Sequence, residues 1–277
     1  MAKAKEITVR TLSELLAAVE RVQAGATNSL WYRGVGDVKY KLVPALYRHK
    51  KTKGADGLAA LERQIMTRFR QRSLPYHSRP LGDDWDALFF MQHYGVPTRL
   101  LDWTENPFVA LHFAMMSAKG VVSAGGKLSF SADATLWILD PVAWNRHALR
   151  HISYAGGVLT PDDDALKGYR PTPGFTGMQN LPVAIYGAHN SPRIVAQQGV
   201  FTVFGREASA MEERAGPANL NSPMRVDTAP EGEDIAREDW SKHEQKTSPH
   251  ALSGIQGQGG AGRRTWRQDA GRVGTAT

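Results

Sequence analysis

Residues 86–116, DALFFMQHYGVPTRLLDWTENPFVALHFAMM, hold the densest mixture of aromatic, aliphatic and functional polar side chains in the sequence. They read as helix, loop, strand, helix. Asp83 or Asp84 caps a first helix from Trp85 to about Tyr94, with Gln92, His93 and Tyr94 in its last turn. Gly95 closes that helix, because glycine reaches positive φ without a Cβ clash. Pro97 pushes Val96 toward extended backbone, and a short buried strand follows, ending at Thr104. Asn106 at the N-cap and Pro107 at the first helical position, where no amide donor is needed, open a second helix. On it Phe108, Leu111, His112 and Met115 recur at helical spacing and predict one largely apolar stripe. The strand thus delivers Asp102, Trp103 and Thr104 to the mouth of a helix N-terminus, whose free amides suit an anion or a polar ligand.

Upstream, Thr11 and Glu14 have capping-box spacing, and Leu12, Leu15, Leu16, Val19 and Val22 make an amphipathic helix ending near Gly25. Leu30 to Arg33 is strand-like, and Gly34-Val35-Gly36-Asp37 reads as a turn. Arg33 sits on an apolar strand beside a glycine that admits close approach. An arginine there needs a partner, because a lone buried charge is very costly. Asp102 is one candidate, in a structural salt bridge. A ligand phosphate, ribose or carboxylate, gripped by parallel hydrogen bonds, is the other. Tyr40 to Arg48, interrupted by Pro44, reads as an irregular segment that carries Arg48 back toward the same place. A helix from about Leu58 to Gln71 follows. It has Leu58, Leu61, Ile65, Met66 and Phe69 on one face and Arg63, Arg68, Arg70 and Arg72 on the other.

Downstream, residues 121–133 suggest a loop or a hairpin tip, and Ala134 to Asp140 a central strand stopped by Pro141. Asn145 to Gly174, rich in His, Asp, Gly and Pro, predicts an extended loop over the site. Val183 to Tyr186 is a further strand. Arg193 to Phe204 reads as one or two strands, with a bulge at Gly199 that aims Gln197 or Gln198 into a pocket. After about Glu213 apolar residues become isolated, a composition that cannot offset the entropy of ordering, so residues 215–277 read as a disordered tail. The expected fold is α+β: a single mixed domain over about residues 5–210, with a central, mostly antiparallel sheet flanked by helices.

The 277 residues are 42% apolar, slightly low for a chain packed throughout. The absence of cysteine excludes disulfides and thiolate metal ligands, and fits a reducing cytoplasm, the expected location. No apolar run approaches the roughly 20 residues of a membrane helix, and the first ten residues lack the apolar core of a signal peptide. The formal charge is +7, and residues 1–80 carry 16 Lys or Arg against 6 Asp or Glu. That excess attracts polyanions or a phosphate-bearing ligand, so nucleic acid is a candidate partner. Histidine's ordinary pKa lies close to neutral pH, so His93 is a candidate for acid–base work or for stabilising a helix C-terminus. No second His or carboxylate stands at ligand spacing, so no metal is expected.

Three segments, which follow one another along the chain in the family's order, resemble the FRG domain family. They are residues 92–114; Tyr32-Arg33-Gly34 followed by Leu42 to Arg48; and Arg193 to Thr202. The resemblance spans residues 29–204 and names no reaction by itself. It implies a longer ordered ending, closed by a Phe-Pro-Asp-Leu-like segment that this chain lacks; a change of reading frame near residue 215 would account for the tail. The layout is also similar to that of ADP-ribosyltransferase folds: an early Arg, a polar strand entering a helix, a late strand with a Gln. By that analogy NAD is the expected cofactor, Arg33 holds it, Asp102 and Thr104 brace it, and Gln197 or Gln198 takes the late position. Tyr32, Gly34, Arg48, His93, Arg99 and Trp103 are then candidate ligand contacts. A glutamine cannot act as a general base, which favours hydrolysis or weak transfer. Two further readings stand beside this one. In one, Arg33, Arg99 and Asp102 bind a nucleotide, nucleic acid or phosphorylated partner without chemistry. In the other, they form an internal salt-bridge network.

Overall fold

The computed structural model describes residues 7–49, 54–76, 81–122, 128–171, 180–187, 192–215, 219–220 and 224–227. The chain divides into two units, Met1–Glu233 and Asp234–Thr277, and every described residue falls in the first. Along it run β1 (Ile7–Val9), α1 (Leu12–Ala24), β2 (Trp31–Val35), α2 (Gly54–Ser73), α3 (Asp84–His93), β3 (Leu100–Thr104), α4 (Pro107–Ser117), β4 (Gly120–Val122), β5 (Leu128–Phe130), β6 (Ala134–Leu139), α5 (Pro141–Ala148), β7 (Val183–Ile185), α6 (Pro192–Ala196), β8 (Gly199–Val203) and β9 (Met224–Val226). Seven strands form one sheet in the order β1-β9-β6-β2-β3-β8-β7, and β4 and β5 make a separate hairpin. All neighbours in the large sheet run antiparallel except β1 and β9. The architecture is α+β, as expected.

The local signals act as their chemistry dictates. The Thr11 hydroxyl accepts from the Glu14 amide, and the Asp83 carboxylate accepts from the Asp86 amide. At the end of α3, Gly95 adopts φ +70°, and the Gly95 and Val96 amides donate to the carbonyls of Gln92 and Met91. This left-handed cap turns the chain back under its own helix, so that Thr98 lies below Gln92. A Cβ at Gly95 would meet nothing within 4 Å. Gly95→Ala is therefore expected to cost only the backbone term, about 1 kcal/mol, read as a small fall in melting temperature.

Packing departs from expectation at α4. Its buried residues are Ala110 and Ala114, with Leu111 and Met115 partly buried beside them, while Phe108 is exposed. The cause lies in β2. A Cβ on Gly34 would come within 1.8 Å of the Ala110 carbonyl oxygen, and one on Gly36 within 2.2 Å of the Ala118 amide. Gly34 of β2 and Gly36 just beyond it let strand and helix meet backbone to backbone, which a stripe of large side chains would forbid. The space beside Gly34 is therefore filled by a helix rather than kept for a ligand.

Three further expectations are corrected. The segment after Asn145 does not lie over the site in its described part. Asp140 and Pro141 cap and open α5, and Leu166 and Tyr169 are buried in the core with Trp85, Phe89 and Phe201. Arg193 to Ala196 is helical, because Pro192 suits a helix start, and Gly199 pairs with Thr104 in a regular ladder without a bulge. The sheet also continues past residue 215. β9 inserts between β1 and β6 with Met224 and Val226 buried, so ordered structure reaches Asp227. The rest of the expected tail, residues 228–277, lies outside the described residues.

Candidate functional site

The central strands β2 and β3 pair at one position, Tyr32 with Thr104. On their other sides each runs a full ladder, β2 with β6 and β3 with β8. Where β2 and β3 part, an open cavity of about 360 Å³ lies between them. Its wall includes Arg33, Gly34 and Val35 from β2, Asp102, Trp103 and Thr104 from β3, Gln92 and His93 from α3, Phe113 from α4 and Gln197 from the turn before β8. A guanidinium spans the gap: Arg33 Nη1 donates to the Asp102 carbonyl oxygen at 2.5 Å. That side-chain bond satisfies a backbone group at the point where the β2–β3 ladder gives out.

The Arg33 side chain is 23% exposed and that of Asp102 56%. Arg33 Nη1 lies 3.9 Å from Asp102 Oδ2, at the outer limit of an ion pair. Desolvation lowers the Arg33 pKa from its ordinary value; Asp102 opposes this and Arg48 adds to it. Arg33 remains a cation at any physiological pH, and its burial makes an anionic guest in the cavity more favourable.

Of the expected residues, the cavity brings together Tyr32, Arg33, Gly34, His93, Asp102, Trp103, Thr104 and Gln197. Several are already engaged. The Tyr32 hydroxyl accepts from Gln23 Nε2 at 2.9 Å. The Thr104 hydroxyl donates to the Gln197 carbonyl at 2.7 Å and accepts from the Asn106 amide, so it tethers the late turn instead of facing a guest. Trp103 Nε1 donates to the Thr202 hydroxyl. The helix N-terminus expected to hold an anion is occupied by its own cap, since Asn106 Oδ1 accepts from the amides of Phe108 and Val109.

Three expected residues lie off the wall. Gln198 is exposed at φ +46°, and its carbonyl accepts from the Glu105 amide. Arg48 is near enough to Arg33 to act on it through charge but does not line the cavity. Arg99 is fully buried in a forked pair with Glu62 of α2: Nε donates to Oε1 at 2.7 Å and Nη2 to Oε2, while Nη1 donates to the Tyr169 carbonyl. Burial alone would lower the Arg99 pKa, but the Glu62 carboxylate overcomes this and raises it. Arg99 is thus a core residue paired with Glu62, and among the described residues no salt bridge joins it to Asp102 or Arg33.

The sequence reading missed Gln92, Tyr40, Phe113 and Ser117 on the wall, and Glu62 in the core. For Gln92 a signal existed. It stands in the last helical turn before Gly95, and a left-handed cap folds the following residues beneath that turn.

The class defined here is a mixed α+β domain whose central sheet parts around an open cavity carrying charges of both signs. Among the described residues no helix is long and apolar enough to cross a membrane. Residues 28–121 match the family model of the FRG domain. The match contains Arg33, Gln92 and Asp102; the third resembling segment, Arg193 to Thr202, lies beyond it. No curated protein and no solved structure matches the chain.

Proposed function

We propose that the cavity binds a nucleotide through Arg33, and that NAD is its ligand in ADP-ribosyl transfer or NAD hydrolysis. The observation that carries this reading is the convergence of Arg33, Asp102 and Gln197, from three distant segments, on one open cavity. A guanidinium supplies parallel N–H donors for a phosphate. A carboxylate on the opposite strand stabilises the positive charge that develops on ribose as its bond to nicotinamide breaks. Hydrolysis then adds water across that bond, giving nicotinamide, ADP-ribose and a proton. Gln197 orients the incoming oxygen and takes no proton. The volume lies near the lower end of the ~300–1,000 Å³ of small-molecule sites, room for one nucleotide unit with the remainder at the mouth.

A second reading, binding without chemistry, is favoured by one feature: Asp102 already accepts a hydrogen bond from Gln92 Nε2 at 2.8 Å. Calorimetric titration with NAD, followed by assay for free nicotinamide, separates the two. Arg33→Ala is expected to weaken NAD binding at least ~10-fold, the effect of losing charge-assisted hydrogen bonds. Binding without nicotinamide release leaves the second reading. If NAD neither binds nor raises the melting temperature of the unaltered chain, the NAD reading is abandoned and Arg33 is a brace across the strand gap.

A further inference from the structure

The wall of the cavity contains a hydrogen-bonded chain with one possible polarity. The Asp102 carboxylate can only accept, so Gln92 presents Nε2 to it and turns Oε1 to Thr98, whose hydroxyl donates there while it accepts from the Leu100 amide at 3.0 Å. That fixes the amide, and Gln92 Nε2 donates to Asp102 Oδ2. Thr98 is fully buried, so water does not compete for this bond. The carboxylate is held through one oxygen, and Oδ1 has no protein partner among the described residues. Arg33 is used in the same partial way. Nη1 takes the Asp102 carbonyl, and its other N–H groups make no hydrogen bond to the described residues. One cavity therefore offers unspent donors on a cation and an unspent acceptor on an oriented anion. Two exposed rings, Tyr40 at 43% and Phe113 at 38%, stand on the same wall and offer apolar faces on which a base stacks.

We infer that Thr98 and Gln92 are positioning residues that present Asp102 Oδ1 to a ribose hydroxyl, so that the cavity takes a ribonucleotide in preference to its deoxy form, with the phosphate on Arg33. This rests on the nucleotide reading above and specifies its ligand. A carboxylate oxygen built to accept from a hydroxyl is left unpaired when the hydroxyl is missing, and an unpaired polar group in a site rejects the analogue. An ammonium group on Asp102 would predict no such distinction.

The test is titration of the full chain with ADP, 2′-deoxy-ADP and 3′-deoxy-ADP. The unaltered chain is expected to bind ADP at least ~10-fold more tightly than one of the deoxy forms. Gln92→Leu, which leaves Asp102 unoriented, is expected to weaken ADP toward the deoxy value and to leave the deoxy value in place. Gln92→Glu keeps the shape, and keeps an acceptor for Thr98, but sets like charge against Asp102; it is expected to erase the preference as well. This holds the test open if the leucine variant fails to fold. Equal affinity for all three ligands in the unaltered chain, or a preference that survives both Gln92 variants, overturns the inference. Binding of NAD without binding of ADP also overturns it and leaves the nucleotide reading intact. Binding of none of these ligands removes both.

Discussion

Gly34→Ala is expected to destabilise the domain by about 3 kcal/mol or more, the upper range for overpacking a core. The new methyl group would meet the Ala110 carbonyl oxygen at 1.8 Å and the Ala114 amide at 2.7 Å. Both are backbone atoms of a regular helix, so no flexible side chain can swing away. Relief requires α4 to lift from β2, and with it Phe113 and the apolar cluster in which Tyr32, Ala110, Ala114 and Leu136 pack together. Denaturant unfolding measures the loss. Gly95→Ala is the control, since it adds the same methyl group in open space. A Gly34→Ala protein as stable as that control would show that helix and strand are not in backbone contact.

Glu62→Ala is expected to cost about 3–5 kcal/mol, because it strands the Arg99 guanidinium in the core without its counter-charge. The cost lies in the orphaned charge rather than in the bond. The double change Glu62→Met with Arg99→Met is therefore expected to recover most of the loss, since apolar side chains of similar length fill the space without a desolvation penalty. Equilibrium unfolding of both variants decides the matter. If the single and double variants are equally unstable, packing around α2 matters and the ion pair does not.

These two sites show what could be read in advance. Thr11, Asp83, Asn106 and Gly95 announce helix ends, since each acts on backbone groups within a few residues of itself. The strand carrying Asp102 and the placing of Arg33 beside it were legible for a related reason: short apolar runs bounded by glycine and proline have few ways to lie. Glu62 was not legible. On a helix bearing Arg63, Arg68 and Arg72 it reads as one more solvated charge, and only the approach of β3 makes it the partner of Arg99. Gly34 was noted as a point of close approach, but local sequence does not say whether helix or ligand fills the space. β9 escaped because Met224 and Val226 are two isolated apolar residues in a polar stretch, and their burial depends on a sheet edge already formed by β6.

The place of β9 also orders the birth of the fold. Among the described residues β1 has no neighbour in the sheet but β9, so it gains its sheet partner only once Met224 to Val226 has been made. Domains whose early segments pair with one another can close while synthesis continues. Here completion waits for almost the last described residue, and until then the outer side of β6 stays an open template for foreign strands.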